Sequence, residues 1–419
     1  VDARRFVTAG LPSTAVAVGA GPRQGAASAG TTPVAIVGAG PVGAVAALAL
    51  AARAVPCRLF DAREPAAGKP DRRAIALSWG TRLALDRLGV WAGIGRADPI
   101  TRVSVSERGA FGSIEFTADD LGTPALGYVV DYGDLALACS RALDAAGIET
   151  AWRTAVSAIE PGDESLALVL APEGDVETRI GARCVLLADG AEGFDGAGAP
   201  PRSARAYRQV ALVGDVASER FSPGRAYERF AGSGPLALLP RAGYHACVWV
   251  LEPEVAQRLL DAGPEALARA LEAAAGPAFG TMRWLVTPAR VPLALRCAGR
   301  ASDPRIVPIG NASQVLHPVA GQGFNLGVRD ALGFASAWPA RADGAAGIPA
   351  DALLRALAGF DRARRADRAF TVTATDLIAR VTAIDNPLAA AMRGFGLSAL
   401  DLLPPLRRRA LQVMVFGAA

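Results

Sequence analysis

"PVAIVGAGPVGAVAALALAARAVPCRLFDARE", residues Pro33 to Glu64, decides the first half of the fold. Val34 to Val37 is a short apolar run suited to a buried strand. Gly38, Gly40 and Gly43 follow in G-x-G-x-x-G spacing. Ala44 to Arg53 is dominated by Ala and Leu and predicts a helix. A second apolar run, Cys57 to Phe60, ends in Asp61. Each part has its own physical reason. Gly38 permits a tight turn, Gly40 lets the backbone approach a pyrophosphate, and Gly43 lets helix and strand pack closely. Pro41 and Val42 lie within the loop as further cofactor-binding candidates, and the first N–H groups and positive dipole end of the helix that follows favour phosphate. Asp61, 23 residues after Gly38, stands where a carboxylate accepts hydrogen bonds from a ribose diol. The bland alternative is an ordinary glycine-rich strand-to-helix turn. The loop alone does not choose between FAD and NAD.

The 419 residues allow two or three domains, and 51% hydrophobic residues allow a large core. A net charge of +4 with arginine in place of lysine marks no nucleic-acid footprint. The run Arg407, Arg408, Arg409 reads as a solvated helix face. Five scattered cysteines show no metal-ligand spacing, so neither a disulfide framework nor a metal site is expected, and a reducing compartment is. The richest apolar run, "VGAVAALALAA", is about half of what a bilayer span needs. Residues 1–30, rich in Ala, Gly, Ser and Pro, read as a flexible extension, with a processed targeting segment as the alternative.

Further on, Arg72, Arg73 and Ser78 precede an amphipathic helix expected over Thr81 to Leu88. Val103 to Phe116 alternates as a strand pair does. "DYGDLALACSRALDAAG" predicts a helix closed by Gly147. A hairpin pattern then leads to the buried strand Cys184 to Leu187, followed by Asp189 and Gly190. From Val210 to Leu251 strands dominate, punctuated by Pro and Gly, which suits an antiparallel sheet. After Gly321 the chain is mostly helical. There is no second G-x-G-x-x-G, so no separate NAD(P)H domain is visible.

Three separated motifs together resemble a known family: "GAGPVG" at Gly38 to Gly43, "LLADGAEG" at Leu186 to Gly193, and "PIGNASQVLHPVAGQGFNLGVRDA" at Pro308 to Ala331. The chain resembles the flavin-dependent aromatic hydroxylases of the p-hydroxybenzoate hydroxylase fold. "RRAIALSWGT", "AYERFAGSGPLALLP" and the third motif are similar to the ubiquinone-biosynthesis branch, of the 2-polyprenyl-6-methoxyphenol hydroxylase type. The resemblance implies an α/β fold: a Rossmann-like FAD-binding domain interleaved with an antiparallel-sheet substrate domain, with a helical C-terminal region. Its FAD-binding parts fall at 31–102, 126–200 and 301–340. Substrate-domain strands fall at 103–125 and 201–300, and the helical region at 341–419.

The resemblance also implies roles. Arg73, Asp189 and Gly190 join the first loop around the cofactor. Gly310 and Asn311 match the Gly-Asp of most relatives, placing Asn311 on the ribityl chain. Gly321, Gln322, Gly323, Phe324 and Asn325 lie beside the isoalloxazine ring, with the helix N-terminus aimed at its N1–C2=O edge. His317 and Pro318 are the catalytic candidates, His317 either as a base or as a loop residue that positions Pro318. His245 reads as structural. The Ser/Arg pair that usually follows Asp-Gly is missing, which questions the order of that loop. The implied reaction is hydroxylation of a polyprenyl phenol through a flavin C4a-hydroperoxide, with FAD, NAD(P)H as reductant, and molecular oxygen. The rivals are a hydroxylase of secondary metabolism and a flavin-binding subunit without turnover. The implied location is cytoplasmic, peripheral on the inner membrane face or against a lipid-carrying partner. The apolar and arginine-bearing stretch 386–419 supports that interface, with a helical cap on the FAD domain as the alternative.

Overall fold

Parallel strands rich in Val, Ile and Leu build the centre of the molecule. The computed structural model describes residues 31–64, 71–109, 111–172, 176–191, 193–232, 234–339, 348–384 and 386–417. The extension read in residues 1–30 lies outside them. Among the described residues, one seven-stranded sheet runs in the order Thr150–Ala151, Cys57–Phe60, Thr32–Val37, Thr178–Leu187, Leu166–Pro172, Thr154–Pro161. Ile306–Pro308 pairs alongside the last residues of Thr178–Leu187. Val37 stands opposite both Phe60 and Leu187, and Leu187 opposite Pro308, all in parallel register. Parallel strands release their carboxyl ends at one edge. Gly38, Asp61, Asp189 and Gly310 therefore leave the sheet side by side, although the chain separates the first from the last by 272 positions.

Helix Pro41–Ala51 begins earlier than the composition predicts. Pro41 occupies the first turn, where its fixed φ suits a helix and its missing N–H costs nothing. Helix Trp79–Arg87 also starts earlier than expected, because Ser78 caps it by accepting the Thr81 N–H at 3.2 Å. Helix Gln322–Ala337 packs on Pro41–Ala51. A Cβ at Gly327 would come within 2.9 Å of Val42, and one at Gly310 within 3.1 Å of it. Two motifs distant in sequence thus share one contact.

A nine-stranded sheet covers the carboxyl edge. It is antiparallel except where Arg225–Phe230 pairs parallel with Arg102–Glu107. Leu236, Leu238, Cys247 and Trp249 point away from the first domain and pack on helices Pro253–Asp261 and Pro264–Ala275. Ala237, Leu239 and Val248 point the other way and line a cavity. That alternation follows from the period of two along a strand. A small sheet of Ala74–Ser78, Gly127–Asp131 and Ala97–Ile100 joins the two parts.

The C-terminal helices are Ala350–Thr382, Pro387–Asp401 and Pro404–Phe416. Leu411, Val415 and Phe416 are buried in the core of the first domain. Among the described residues no helix is long and apolar enough to cross a membrane.

Candidate functional site

The glycine loop separates two kinds of requirement. Gly38 has φ +100°, and a Cβ there would lie 2.5 Å from the Ala188 carbonyl oxygen. A Cβ at Gly43 would overlap the Gly38 carbonyl. Both positions are glycine because the protein packs against them. At Gly40 the nearest atoms to a Cβ, Arg63 Nη2 and Tyr132 Oη, are 3.8 Å away. Nothing in the protein excludes a side chain there, so the space in front of Gly40 is the part of the loop left open to a ligand.

Asp61 is buried at its strand end. Its Oδ2 accepts the Ala39 N–H at 2.8 Å, and Arg63 binds both oxygens, Nε to Oδ1 at 2.9 Å and Nη2 to Oδ2 at 2.8 Å. Burial pushes the carboxyl up, but the hydrogen bonds from Arg63 and Ala39 outweigh it and hold Asp61 below the usual carboxylate range. Arg63 was not singled out from the sequence; its position two residues after the acid is the signal that could have found it. With Arg72, Arg96 and Tyr132 it lines a cleft of about 790 Å³ in front of Gly40. Arg73 does not line that cleft. It chelates Asp71, with Nη2 to Oδ2 at 2.6 Å, and lies 4.6 Å over the Tyr132 ring.

Asp189 sits on the same edge, its Oδ1 buried without a partner. Burial pushes its carboxyl up to about 6. The loop after it is well anchored despite its glycines. Phe194 is buried against Leu187 and Ile159, Ala191 O accepts from Arg296 Nη1 at 3.2 Å, and the Arg202 guanidinium fills the space a side chain at Gly193 would need. Arg202 also lowers the Asp189 pKa electrostatically. It supplies from a strand a positive charge beside the loop that lacks the Ser/Arg pair.

The third motif folds against the first. Gly310 has φ +56°, and its N–H donates to Asp330 Oδ2 at 3.4 Å, as does Gln314 Nε2 at 3.2 Å. Asp330 Oδ1 accepts from Arg364 Nε and Arg368 Nε, both at 3.0 Å. Asp367 joins Arg364 to Arg329, with Nη2 of Arg364 at 2.6 Å and Nε of Arg329 at 2.9 Å. The Arg-Asp pair that closes the motif is therefore a buried brace for Gly310 rather than a cofactor contact. Asn311 is exposed beside it, and a Cβ at Gly323 would lie 4.0 Å from Asn311 Oδ1.

Asn325 is buried and fully engaged: Oδ1 accepts the Ser78 N–H at 2.9 Å, and Nδ2 donates to Ala76 O and Gly321 O at 3.0 Å each. It ties the helix start to the strand Ala74–Ser78. Gln322 Nε2 donates to Met414 O at 3.3 Å, fastening the same loop to the C-terminal helix. Pro318 and Gly321 to Asn325 form one wall of a cavity of about 300 Å³. Ile75, Leu77, Leu239 and Val248 form others, and Leu411, Met414 and Val415 close it. The C-terminal helix is a wall that sequence reasoning did not assign. His317 does not line this cavity. It is buried, its Nδ1 accepts the Val319 N–H at 3.3 Å, and its ring meets Tyr207 edge-on at 5.1 Å. Burial pushes it down to about 4, so it is neutral at pH 7. Its one side-chain hydrogen bond among the described residues ties it to the turn that follows Pro318.

A glycine loop open at one residue, a carboxylate at the next strand end, and a second glycine segment beside an apolar cavity define a flavin-binding oxygenase. A family model described as "FAD binding domain" matches residues 31–355, and the chain belongs to that family of FAD-dependent aromatic monooxygenases. It is 31% identical over 412 residues to "Ubiquinone hydroxylase UbiL" of Rhodospirillum rubrum, covering 96% of this chain and 93% of the relative. It is 30% identical over 397 residues to "3-demethoxyubiquinol 3-hydroxylase" of Escherichia coli K12, covering 91% and 97%. Among solved structures, p-nitrophenol 4-monooxygenase PnpA from Pseudomonas putida DLL-E4 superposes with a TM-score of 0.73 at 19% identity, over 93% of this chain and 99% of that one. The fold is that of the flavoprotein monooxygenases and the cofactor is FAD.

Proposed function

We propose that this protein hydroxylates the ring of a polyprenylated phenol in ubiquinone biosynthesis, with NAD(P)H as reductant. One atom of dioxygen replaces a ring hydrogen as hydroxyl. The other leaves as water, taking two electrons and one proton from the reductant as a hydride equivalent and a second proton from solvent. The observation that carries the reading is the apolar cavity of about 300 Å³ between the second glycine segment and the antiparallel sheet. Its size and mostly apolar lining suit an aromatic ring. The pathway comes from the names of the two relatives.

FAD supplies the electron and oxygen chemistry when bound. The residues suited to hold it are the Gly38 to Gly43 loop with Pro41 and Val42 at the helix start, Asp61 at the ribose once Arg63 yields, and Asn311 at the ribityl chain. Asp189 and Gly190 adjoin it from the neighbouring strand end. Pro318, Gly321, Gln322, Gly323 and Phe324 border the ring edge. The first N–H groups of helix Gln322–Ala337 lack intrahelical acceptors and favour negative charge there.

A tail of several prenyl units needs an apolar surface, since one five-carbon unit costs ~4 kcal/mol in water at ~0.8 kcal/mol per CH₂. Leu388, Met392, Phe395 and Leu402 are 72%, 67%, 76% and 78% exposed on the last helices, an unusual density for a protein surface. They lie in the same helical region whose final helix closes the cavity. This supports peripheral binding to a lipid surface, with Arg408 and Arg409, which have no ion-pair partner among the described residues, meeting anionic head groups. Arg407 is not free, because its Nη2 binds Asp120 at 2.9 Å.

The test is turnover by FAD-loaded protein with a short-chain prenyl phenol and NADH or NADPH. The expected result is a product one oxygen atom heavier with matched reductant consumption. Reductant oxidation yielding only hydrogen peroxide with every prenyl phenol, beside clean hydroxylation of tail-less aromatic acids, would overturn the substrate assignment.

A further inference from the structure

Strand Arg225–Phe230 crosses one wall of the cavity. Its side chains alternate. Ala226 and Glu228 face the cavity, while Tyr227 turns to the opposite face of the sheet and packs on Phe279 at 4.6 Å and His245 at 6.2 Å. The surroundings of Glu228 are apolar, with Ile75, Leu77, Ile100, Val103, Leu239 and Val248 on the same walls. Glu228 is half-buried as a residue, has no hydrogen-bond or ion-pair partner among the described residues, and turns its Oε1 into the buried part of the wall without one.

The charged groups nearby are engaged elsewhere. On its own strand, Arg225 binds Glu115 and Ser104, and Arg229 Nη1 reaches Ser106 at 3.4 Å. On the two flanking strands, Arg102 is exposed, Glu107 is held by Arg393, and Arg241 is held by Asp131 and Asp215. On the C-terminal helix, Arg407 is on Asp120. Among the described residues no other charged side chain lines the cavity. An isolated carboxyl in such a place is costly unless it stays neutral or finds a donor. Pro318 and Gly321 to Asn325, proposed above to border the flavin ring, form another wall of the same cavity. The missing donor is therefore one that a ligand brings.

We propose that Glu228 receives the phenolic hydroxyl of the substrate and takes its proton. The O–H bond of the phenol breaks, a bond forms between that proton and a Glu228 carboxylate oxygen, and the electron pair stays on the ring oxygen. Delocalised into the ring, that pair raises the nucleophilicity of the carbons ortho and para to it, where oxygen is inserted. The proton returns to the ring oxygen when product leaves. Burial pushes the Glu228 carboxyl up to about 7, so both protonation states are accessible near neutrality, which suits a general base. The assignment rests on the phenol reading above, and the two can fail separately.

The probes are 2-prenylphenol and its methyl ether, titrated into FAD-loaded protein by perturbation of flavin absorbance. Wild type should prefer the phenol by about tenfold or more, the size of one charge-assisted hydrogen bond. Glu228→Leu should lose that preference while keeping FAD and melting no lower than wild type, because it removes an unpaired buried carboxyl. Glu228→Gln should lower kcat with 2-prenylphenol by roughly 10²–10⁴-fold. The rise of wild-type kcat/KM with pH through about 7 should also disappear in it. A wild-type rate and pH profile in Glu228→Gln would overturn the proposal. So would loss of FAD or a lower melting temperature in both variants, which would make Glu228 structural. Preference for the phenol without any hydroxylation by wild type would instead remove the proposed reaction and leave Glu228 as the hydroxyl acceptor.

Discussion

Asp330 and Arg364 form an enclosed ion pair, Nε to Oδ1 at 3.0 Å, with side chains 0% and 1% exposed. The other oxygen of Asp330 holds the Gly310 turn. Removing Arg364 takes one of two arginines from each of Asp330 and Asp367, leaving Arg368 on the first and Arg329 on the second, at a cost approaching the about 3–5 kcal/mol of a broken buried pair. Arg364→Ala should lower unfolding stability by that order and weaken FAD binding together. Urea denaturation and flavin titration of the same preparation check it; undiminished stability would show that the pair relaxes without consequence.

Gly40→Val and Gly43→Val should separate binding from folding. At Gly40 the protein leaves room for a side chain, so the variant should fold and come out colourless, its pyrophosphate site blocked. At Gly43 a Cβ overlaps backbone, so the variant should be destabilised even as apoprotein by at least the ~1–3 kcal/mol of ordinary overpacking. Circular dichroism and flavin absorbance distinguish the two. Full flavin occupancy in Gly40→Val would mean the loop faces something else.

Asn311→Ala should weaken FAD binding without affecting stability, since the residue is exposed and its neighbours are the two glycine segments. One or two lost hydrogen bonds at ~0.5–1.5 kcal/mol each correspond to a few-fold to roughly a hundredfold rise in Kd. Equal dissociation constants would place Asn311 away from the ribityl chain.

Asp189 titrates at about 6 in the folded protein, against about 4 in an unfolded chain. A raised folded-state value means that its contribution to stability is fully present below about pH 4 and is lost as pH rises through about 6. Asp189→Asn should therefore make the apoprotein more stable than wild type at pH 7, and the advantage should vanish toward pH 4. Parallel stability profiles for the two proteins would contradict this.

Liposomes test the lipid surface. Full-length protein should float with anionic vesicles more than with neutral ones. Replacing Arg408 and Arg409 by Glu should reduce that partition by roughly tenfold or more, at about 1 kcal/mol per basic residue. Phe395→Asp with Leu402→Asp should reduce binding to both vesicle types. If neither pair of substitutions changes flotation, the exposed apolar residues do not meet lipid.

The strand, glycine loop, helix and acid of residues 33–64 are legible in the sequence because their geometry is local: a turn, a first helical residue and a strand end are set within a few bonds. The third motif is legible as a pattern and through its resemblance, but not from local rules. What joins it to the first is the parallel register of Val37, Leu187 and Pro308, which brings Gly310 onto Val42. The antiparallel sheet could be read from alternation, yet alternation does not say which face meets helices and which meets a cavity. That depends on what packs on each side. For the same reason the sequence alone did not reveal that Arg63 would hold Asp61, that Arg364 would neutralise an acid 34 positions away, or that Glu228 would be left without a partner. Burial and pairing are properties of neighbours in space, and only the tertiary structure chooses those neighbours.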